Sequence, residues 1–241
     1  MLSVIIIACN EENQIARCIQ SVAWAKQIVV VDSGSKDNTV AIAKSLDAQV
    51  IETDWPGFGI QKQRALNFAT EEWVLNLDAD EFLAEQDKDL LIQAMNQKNI
   101  DAFKLPIMMI FQDQRMQYAG CETKHIRLFR RNKAQYSTDN VHEKVILQQG
   151  SKVAKCKSKI MHESYSNWFD ALEKMNNYSS LSAKNRHRNA SILKAILASN
   201  WMFIRNYFLK AWFLDGKAGL ALAVYQSQGS WYRYLKQMTP Q

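Results

Sequence analysis

A chain of 241 residues that is 47% hydrophobic can bury one substantial core and carry an appendage. Four cysteines without close paired spacing (Cys9, Cys18, Cys121 and Cys156) argue against a zinc site or a disulfide framework and favour a reduced, cytoplasmic setting. The first apolar run is short and lacks a basic leader, so it is not expected to be a signal peptide. The net charge of +6 is uneven: residues 1–150 hold 16 Lys+Arg against 20 Asp+Glu, whereas residues 151–241 hold 14 against 4. That asymmetry implies an anionic partner for the C-terminal part, and nucleic acid and anionic lipid both satisfy it.

Val4–Ala8 is a β-branched strand that ends in Asn10, Glu11 and Glu12. Ile15, Cys18, Ile19 and Val22 then recur at helical spacing. Ile28–Val31 is a second strand, ending at Asp32. A polar turn follows, in which Asp37 or Asn38 caps a helix over Thr39–Leu46. Ala48–Ile51 is a third strand. Pro56, Gly57 and Gly59 interrupt the chain before a helix from about Gln61 to Ala69, and Trp73–Leu77 is a fourth strand. Strands alternating with helices predict an α/β fold with a mostly parallel sheet and helices on both faces. Beyond Glu81 a helix around Leu90–Met95 is expected, then strands over Ala102–Ile110, His125–Phe129 and Asn140–Leu147. From Trp168 onward the pattern is helical. A transmembrane span needs about 20 mostly apolar residues; Lys194, Arg205 and Lys210 interrupt the best candidate, so none is expected. Aromatics interleaved with Lys and Arg suit a helix in a lipid interface, a helical core or a dimer contact.

Two apolar strands end abruptly in polar residues, at Ala8-Cys9-Asn10-Glu11-Glu12 and at Leu77-Asp78-Ala79-Asp80-Glu81. Ligands of open α/β sheets bind beyond such carboxyl ends. Asp78 and Asp80, at i and i+2 of an extended segment, point the same way. They can therefore grip a hard divalent cation, Mg²⁺ or Mn²⁺, completed by diphosphate oxygens. An EF-hand starting at Asp78 would need Gly at Leu83 and Glu at Asp89, so calcium-loop chemistry is excluded. A nucleotidyltransferase normally carries a Gly-rich, basic loop after its first strand, opposite in character to Asn10-Glu11-Glu12.

The first strand end, Asp32-Ser33-Gly34-Ser35-Lys36-Asp37, Gly59-Ile-Gln-Lys-Gln-Arg64 and Leu77-Asp-Ala-Asp-Glu81 together resemble the signature of the inverting glycosyltransferases of family 2. The resemblance implies the GT-A (Rossmann-like) fold over residues 1–165, with a helical, basic and aromatic C-terminal extension over 166–241. It assigns Ala8, Asn10, Glu12, Asp32 and Ser33 to the nucleoside, with Asp32 suited to accept the uracil N–H. Lys62 and Asp78 fall at the diphosphate, where lysine acts as a point charge, and Asp80 and Asp78 fall at the metal. Trp55-Pro-Gly-Phe-Gly59, Val141-His-Glu143 and Leu214-Asp-Gly-Lys-Ala-Gly219 extend the resemblance to lipopolysaccharide core glycosyltransferases. That group implies transfer of a hexose, often glucose from UDP-glucose, to a lipid-linked saccharide. An inverting displacement needs a base for the acceptor hydroxyl. Position in the resemblance favours Glu143, with Asp139 and His142 as alternatives. His162 is a further candidate metal ligand, since neutral imidazole suits Mn²⁺.

The expected protein is a metal-dependent inverting hexosyltransferase. It would be peripheral to the inner face of the cytoplasmic membrane and would meet an anionic surface there. A homodimer is an open possibility, and no nucleic-acid partner is expected. The competing readings are a family 2 enzyme with another acceptor (a polyprenyl phosphate, a capsule repeat unit or a peptide) and a non-catalytic sugar-binding protein. The latter would leave the acidic cluster without a purpose.

Overall fold

The computed structural model describes residues 1–111, 114–121, 125–137, 143–165, 167–184 and 190–239. By its internal contacts the chain divides into two units. One comprises Met1–Ile107 with Glu122–His162, the other Met108–Cys121 with Glu163–Gln241.

The first unit holds strands β1 (Leu2–Ala8), β2 (Gln27–Asp32), β3 (Gln49–Glu52), β4 (Trp73–Asp78) and β5 (Glu81–Leu83). Helices α1 (Ile15–Ser21), α2 (Thr39–Ser45), α3 (Phe58–Phe68) and α4 (Asp87–Met95) alternate with them. Then come β6 (Ala102–Lys104), and, in the second unit, β7 (Ile107–Phe111) and β8 (Gln114–Arg115). The chain returns with β9 (Ile126–Arg130), β10 (Ala134–Tyr136), β11 (Val145–Leu147) and β12 (Val153–Lys155), and leaves along β13 (Ile160–Tyr165). The main sheet has the order β12-β6-β9-β4-β1-β2-β3. Only β9 runs against its neighbours, so the expected mostly parallel α/β sheet is present.

β1 lies between β2 and β4, and all seven of its residues are buried, as its continuous apolar run requires of a strand covered on both faces. Val4, Ile6, Leu75, Leu77 and Val30 pack with Ile15, Cys18, Ala43 and Leu91 of α1, α2 and α4. Ile5, Ile7, Val29, Val31 and Val74 pack with Ala65 and Leu66 of α3 and with Tyr136 on the opposite face.

Three local departures from the sequence pattern have clear causes. α3 begins at Phe58 because Gly57, at φ 116°, forms its boundary, a conformation that favours glycine. The apolar stretch 102–110 is broken into two strands at Leu105-Pro106, since proline has no N–H for a ladder. The carbonyl of Pro106 instead accepts from the Ile160 amide at 2.9 Å. The three-residue strands β5, β10 and β12 carry too few residues for a periodic signal.

In the second unit, β7 pairs antiparallel with β8, and α5 (Trp168–Lys184), α6 (Ile192–Ile204) and α7 (Gly216–Met238) follow. Met109, Phe111, Met116 and Ala119 share a core with Trp212, Leu222 and Ala223, which is why 108–121 group with the C-terminal helices. The motif Leu214-Asp-Gly-Lys-Ala-Gly219 is a clamp in this unit. The Asp215 carboxylate accepts from the amides of Gln117 (2.9 Å), Tyr118 (3.0 Å) and Ala119 (2.7 Å). A Cβ on Gly219 would collide with the Trp212 carbonyl oxygen. Among the described residues no helix is long and apolar enough to cross a membrane.

Candidate active site

Every described residue singled out above as a site candidate falls in the first unit. The loops that leave β1 and β2 are laced together. The Ala8 carbonyl accepts from the Ser33 amide at 2.9 Å. Asn10, at φ 58°, a conformation asparagine tolerates better than most residues, accepts at Oδ1 from the Lys36 amide at 2.8 Å and donates its own amide to Ser35 Oγ at 2.8 Å. Glu12 Oε2 accepts from the Asn38 amide (3.1 Å) and side chain (3.0 Å). The Glu12 amide donates to Asp37 Oδ2 at 3.1 Å. Asp32, 1% exposed, accepts at Oδ1 from the amides of Gly34 (2.9 Å) and Ser35 (2.8 Å), and at Oδ2 from the Ser35 hydroxyl. Ser33 Oγ accepts from Gln61 Nε2 at 2.8 Å. The acidic and amide side chains at these strand ends thus spend their hydrogen bonds on fixing two backbone loops, a nest able to present polar groups to a nucleoside.

At the end of β4 the charges form a chain. Lys62 of α3 is not helix surface but 5% exposed. Its Nζ lies 2.9 Å from Asp78 Oδ1 and 2.9 Å from Glu143 Oε1. Asp78 Oδ2 lies 3.0 Å from Arg127 Nη2, which also meets Glu81 Oε1 at 2.7 Å. Glu81 Oε2 accepts from the Asp78 amide at 2.9 Å. Burial disfavours the Asp78 charge, but Lys62 and Arg127 outweigh it and hold this carboxyl well below its usual range. Burial pushes Glu81 up to about 7, with Arg127 opposing and Asp78 adding to the rise. Desolvation works against the Lys62 charge, but Asp78, Tyr136 and Glu143 together outweigh it and hold the lysine protonated above its ordinary value. Arg64 turns elsewhere and pairs with Asp54 at 2.6 Å.

The pairing of β5 with β13 sets His162 opposite Glu81, and His162 Nε2 comes 3.0 Å from Asp80 Oδ2. Burial works against the imidazolium, yet the Asp80 hydrogen bond and charge raise the His162 pKa above its usual value. A carboxylate oxygen and an imidazole nitrogen side by side suit Mg²⁺ or Mn²⁺ as a partial ligand set. Among the described residues no three His, Cys, Asp or Glu side chains gather to hold a metal, and both oxygens of Asp78 face cations. Any ion at Asp80 and His162 would therefore take further ligands from a substrate.

A cavity of about 840 Å³ opens beside this charge chain, with Lys62, Asp78 and Glu143 on its wall together with Asn76, Arg127 and Tyr136. Of the three candidate bases, Glu143 lines this cavity, whereas Asp139 and His142 lie outside the described residues. Arg127, Glu81 and Tyr136 went unrecognised in the sequence. Arg127 left one clue, since an arginine two residues before core Phe129 in the strand Ile126-Arg-Leu-Phe points to the same face and needs a buried partner.

The model of the Glycosyl transferase family 2 matches residues 3–147, more than half of the chain, so the chain belongs to that family. It is similar to a protein described as an uncharacterized glycosyltransferase of Rickettsia typhi, at 30% identity over 90% of this chain and 80% of the relative. It is also similar to the lipopolysaccharide core biosynthesis glycosyltransferase LpsC of Rhizobium meliloti, at 29% identity over 97% of this chain and 89% of the relative. Glucosyl-3-phosphoglycerate synthase from Mycobacterium tuberculosis, solved with Mn²⁺, UDP and glucosyl-3-phosphoglycerate, is 24% identical over 46% of this chain and 44% of its own, with a TM-score of 0.40. That last likeness is too limited to bear on function.

Proposed function

We propose that this glycosyltransferase moves a hexose, glucose in our reading, from a UDP-sugar to a lipid-linked saccharide with inversion at the anomeric carbon. The acceptor in this proposal is the inner core of lipopolysaccharide or lipooligosaccharide, a reading supported by similarity to LpsC across almost the whole chain. The observation that carries the reaction type is Lys62, whose ammonium touches Asp78 of the Asp-x-Asp pair on one side and Glu143 on the other. The group that would face the leaving diphosphate and the group that would face the attacking hydroxyl are thereby held together.

In the proposed reaction the laced loops of Ala8–Glu12 and Asp32–Ser33 hold the nucleoside. Glu143 takes the proton of the acceptor hydroxyl as its oxygen bonds to the anomeric carbon. The bond from that carbon to the diphosphate breaks, UDP departs with the electron pair, and Lys62 opposes its charge. Asp80 and His162 would hold Mg²⁺ or Mn²⁺, which when bound supplies further neutralisation of the diphosphate.

The C-terminal unit supports a peripheral place on an anionic membrane, at its cytoplasmic face in this proposal. Leu193, Leu197, Trp201, Ile204 and Phe208 follow one another at spacings of three and four residues and are 44–65% exposed. Lys194, Arg205 and Lys210 flank them. Such an apolar stripe with basic flanks suits a helix lying in a lipid interface.

Two experiments test the proposal. UDP-sugars are screened against truncated core lipids, polyprenyl phosphates and peptides. Transfer of one hexose to a core lipid is expected, with Glu143→Gln keeping UDP-sugar binding and losing turnover. UDP release that never depends on an acceptor, or full turnover in Glu143→Gln, contradicts it. In flotation, the protein should rise with anionic vesicles and Trp201→Glu/Leu197→Glu should not. Equal behaviour on neutral vesicles, or a concentration-dependent dimer broken by the same substitutions, assigns the stripe to another contact.

A further inference from the structure

The cavity beside Lys62 has an inner wall that the reaction proposed above leaves without work. Arg127 Nε and Nη1, Tyr136 Oη and Asn76 Oδ1, in residues that line it, are buried and make no hydrogen bond among the described residues. Arg127 is 7% exposed and Tyr136 6%. A buried donor without a partner is costly, so three such donor atoms in residues of one cavity wall call for an acceptor to complete them. The surrounding charge says which kind. Lys62 is engaged by Asp78 and Glu143, and Arg127 Nη2 by Asp78 and Glu81. Lys104 and Lys144 also line the cavity, and neither ammonium has a carboxylate partner among the described residues. A register shift between β6 and β9 at Phe103/Lys104 is the kind of bulge that re-aims a side chain.

The cavity meets the diphosphate end of the donor side at Lys62 and Asp78, but the nucleoside candidates Ala8, Asn10, Glu12, Asp32 and Ser33 do not line it, whereas Glu143 does. We propose that this wall is an anion subsite for the acceptor. Arg127, Tyr136, Lys104 and Lys144 would hold a phosphate or carboxylate substituent of the acceptor saccharide while Glu143 faces its hydroxyl. The assignment to the acceptor rests on the glycosyltransfer reading, in which Glu143 is the base. The existence of the anion subsite rests on the cavity alone. Arginine and tyrosine give directional N–H and O–H donors to such an oxyanion, and the two lysines add charge.

The test uses the full chain and inorganic phosphate as probe, titrated calorimetrically with and without saturating UDP. Phosphate should bind in both conditions. Lys104→Ala/Lys144→Ala should weaken phosphate at least tenfold and leave UDP affinity within twofold. Tyr136→Phe should weaken phosphate several-fold. Lys104 is half-buried and Lys144 exposed, so the double variant should fold, and an unchanged melting temperature checks this. Loss of phosphate binding when UDP is present would hand the subsite to the donor diphosphate and overturn the proposal, as would unchanged phosphate affinity in the double variant. A chain that binds phosphate in the expected way but never binds UDP refutes the glycosyltransfer reading and leaves the anion subsite standing.

Discussion

Replacing Arg127 by methionine isolates the energetic role of the charge chain at the end of β4. The substitution keeps most of the side-chain stem and removes the cation that lies 2.7 Å from Glu81 and 3.0 Å from Asp78. Removing one partner of a buried pair costs about 3–5 kcal/mol. Glu81, 2% exposed, would bear nearly all of it at a pH well above the value of about 7 to which burial already raises this group, whereas at lower pH it takes up a proton and the loss shrinks. Asp78 is 35% exposed and keeps Lys62 at 2.9 Å, so water and the lysine limit its share to less than about 1 kcal/mol. With a urea dependence of about 3 kcal/mol/M for a chain of this size, the unfolding midpoint should fall by more than about 1 M. Glu81→Gln/Arg127→Met should recover at least about 2 kcal/mol of that loss, because no buried charge remains without a partner and the glutamine oxygen can still accept from the Asp78 amide. The measurement is urea unfolding at that higher pH, followed by far-ultraviolet circular dichroism for the wild type, both single variants and the double. A midpoint shift below about 0.3 M for Arg127→Met, or a double variant less stable than Arg127→Met, would refute the reasoning.

Other outcomes follow from the same geometry. Asp37 accepts from the Glu12 amide at 3.1 Å and the Thr39 amide at 3.0 Å; slight burial opposes its charge, but the Thr39 hydroxyl and these amides outweigh it and lower its pKa. Its contribution is therefore present above the ordinary carboxyl range and lost as pH falls through the lowered value, so Asp37→Asn should differ from wild type in urea midpoint at pH 6 and converge with it in acid; a constant difference across that range would contradict this. In the second unit, Asp215→Asn leaves amides of 117–119 facing a side-chain NH₂ and should cost at least about 2 kcal/mol in thermal unfolding, and Gly219→Ala should cost about 1–3 kcal/mol through the clash with the Trp212 carbonyl. If Asp80 and His162 hold the cation, His162→Ala should raise the Mn²⁺ needed for half-maximal transfer about tenfold or more, whereas an unchanged metal requirement removes His162 from that role.

What the sequence made legible was local. The strands β1, β2 and β4 announce themselves because each is a mostly apolar run with a polar end, and the helices between them because their apolar residues recur at helical spacing. The candidate nucleoside and Asp-x-Asp residues lie at those ends, so reading the strands located them. What stayed hidden was the pairing between distant segments. Arg127 reaches Asp78 and Glu81 only because β9 runs antiparallel beside β4. His162 reaches Asp80 only through the register of β5 against β13, and a three-residue strand offers no periodicity from which to infer that register. The role of Asn10, Glu12 and Asp32 was legible as polarity but not as loop bracing, since which amide each oxygen takes depends on the φ of Asn10 and the turn at Gly34.

Lys62 ties these long-range contacts into one argument about turnover. Its ammonium has three N–H donors, of which two are directed at Asp78 and Glu143. On the proposed reading, Glu143 gains a proton as the new glycosidic bond forms and so loses its charge attraction for Lys62. The departing diphosphate gains charge in the same step. The lysine is thus loosened from the base when the leaving group needs it, a transfer of electrostatic pairing that requires no movement of the backbone. Lys62→Met should accordingly lower kcat by about 10²-fold or more, the loss expected when a group opposing developing charge is removed, and should raise the donor KM by much less. Lys62→Arg should recover only part of kcat, because a planar guanidinium cannot replace a compact ammonium between two carboxylates. A variant in which KM rises and kcat is preserved would show that Lys62 serves only to bind the donor, and the coupling between Glu143 and the leaving group would have to be abandoned.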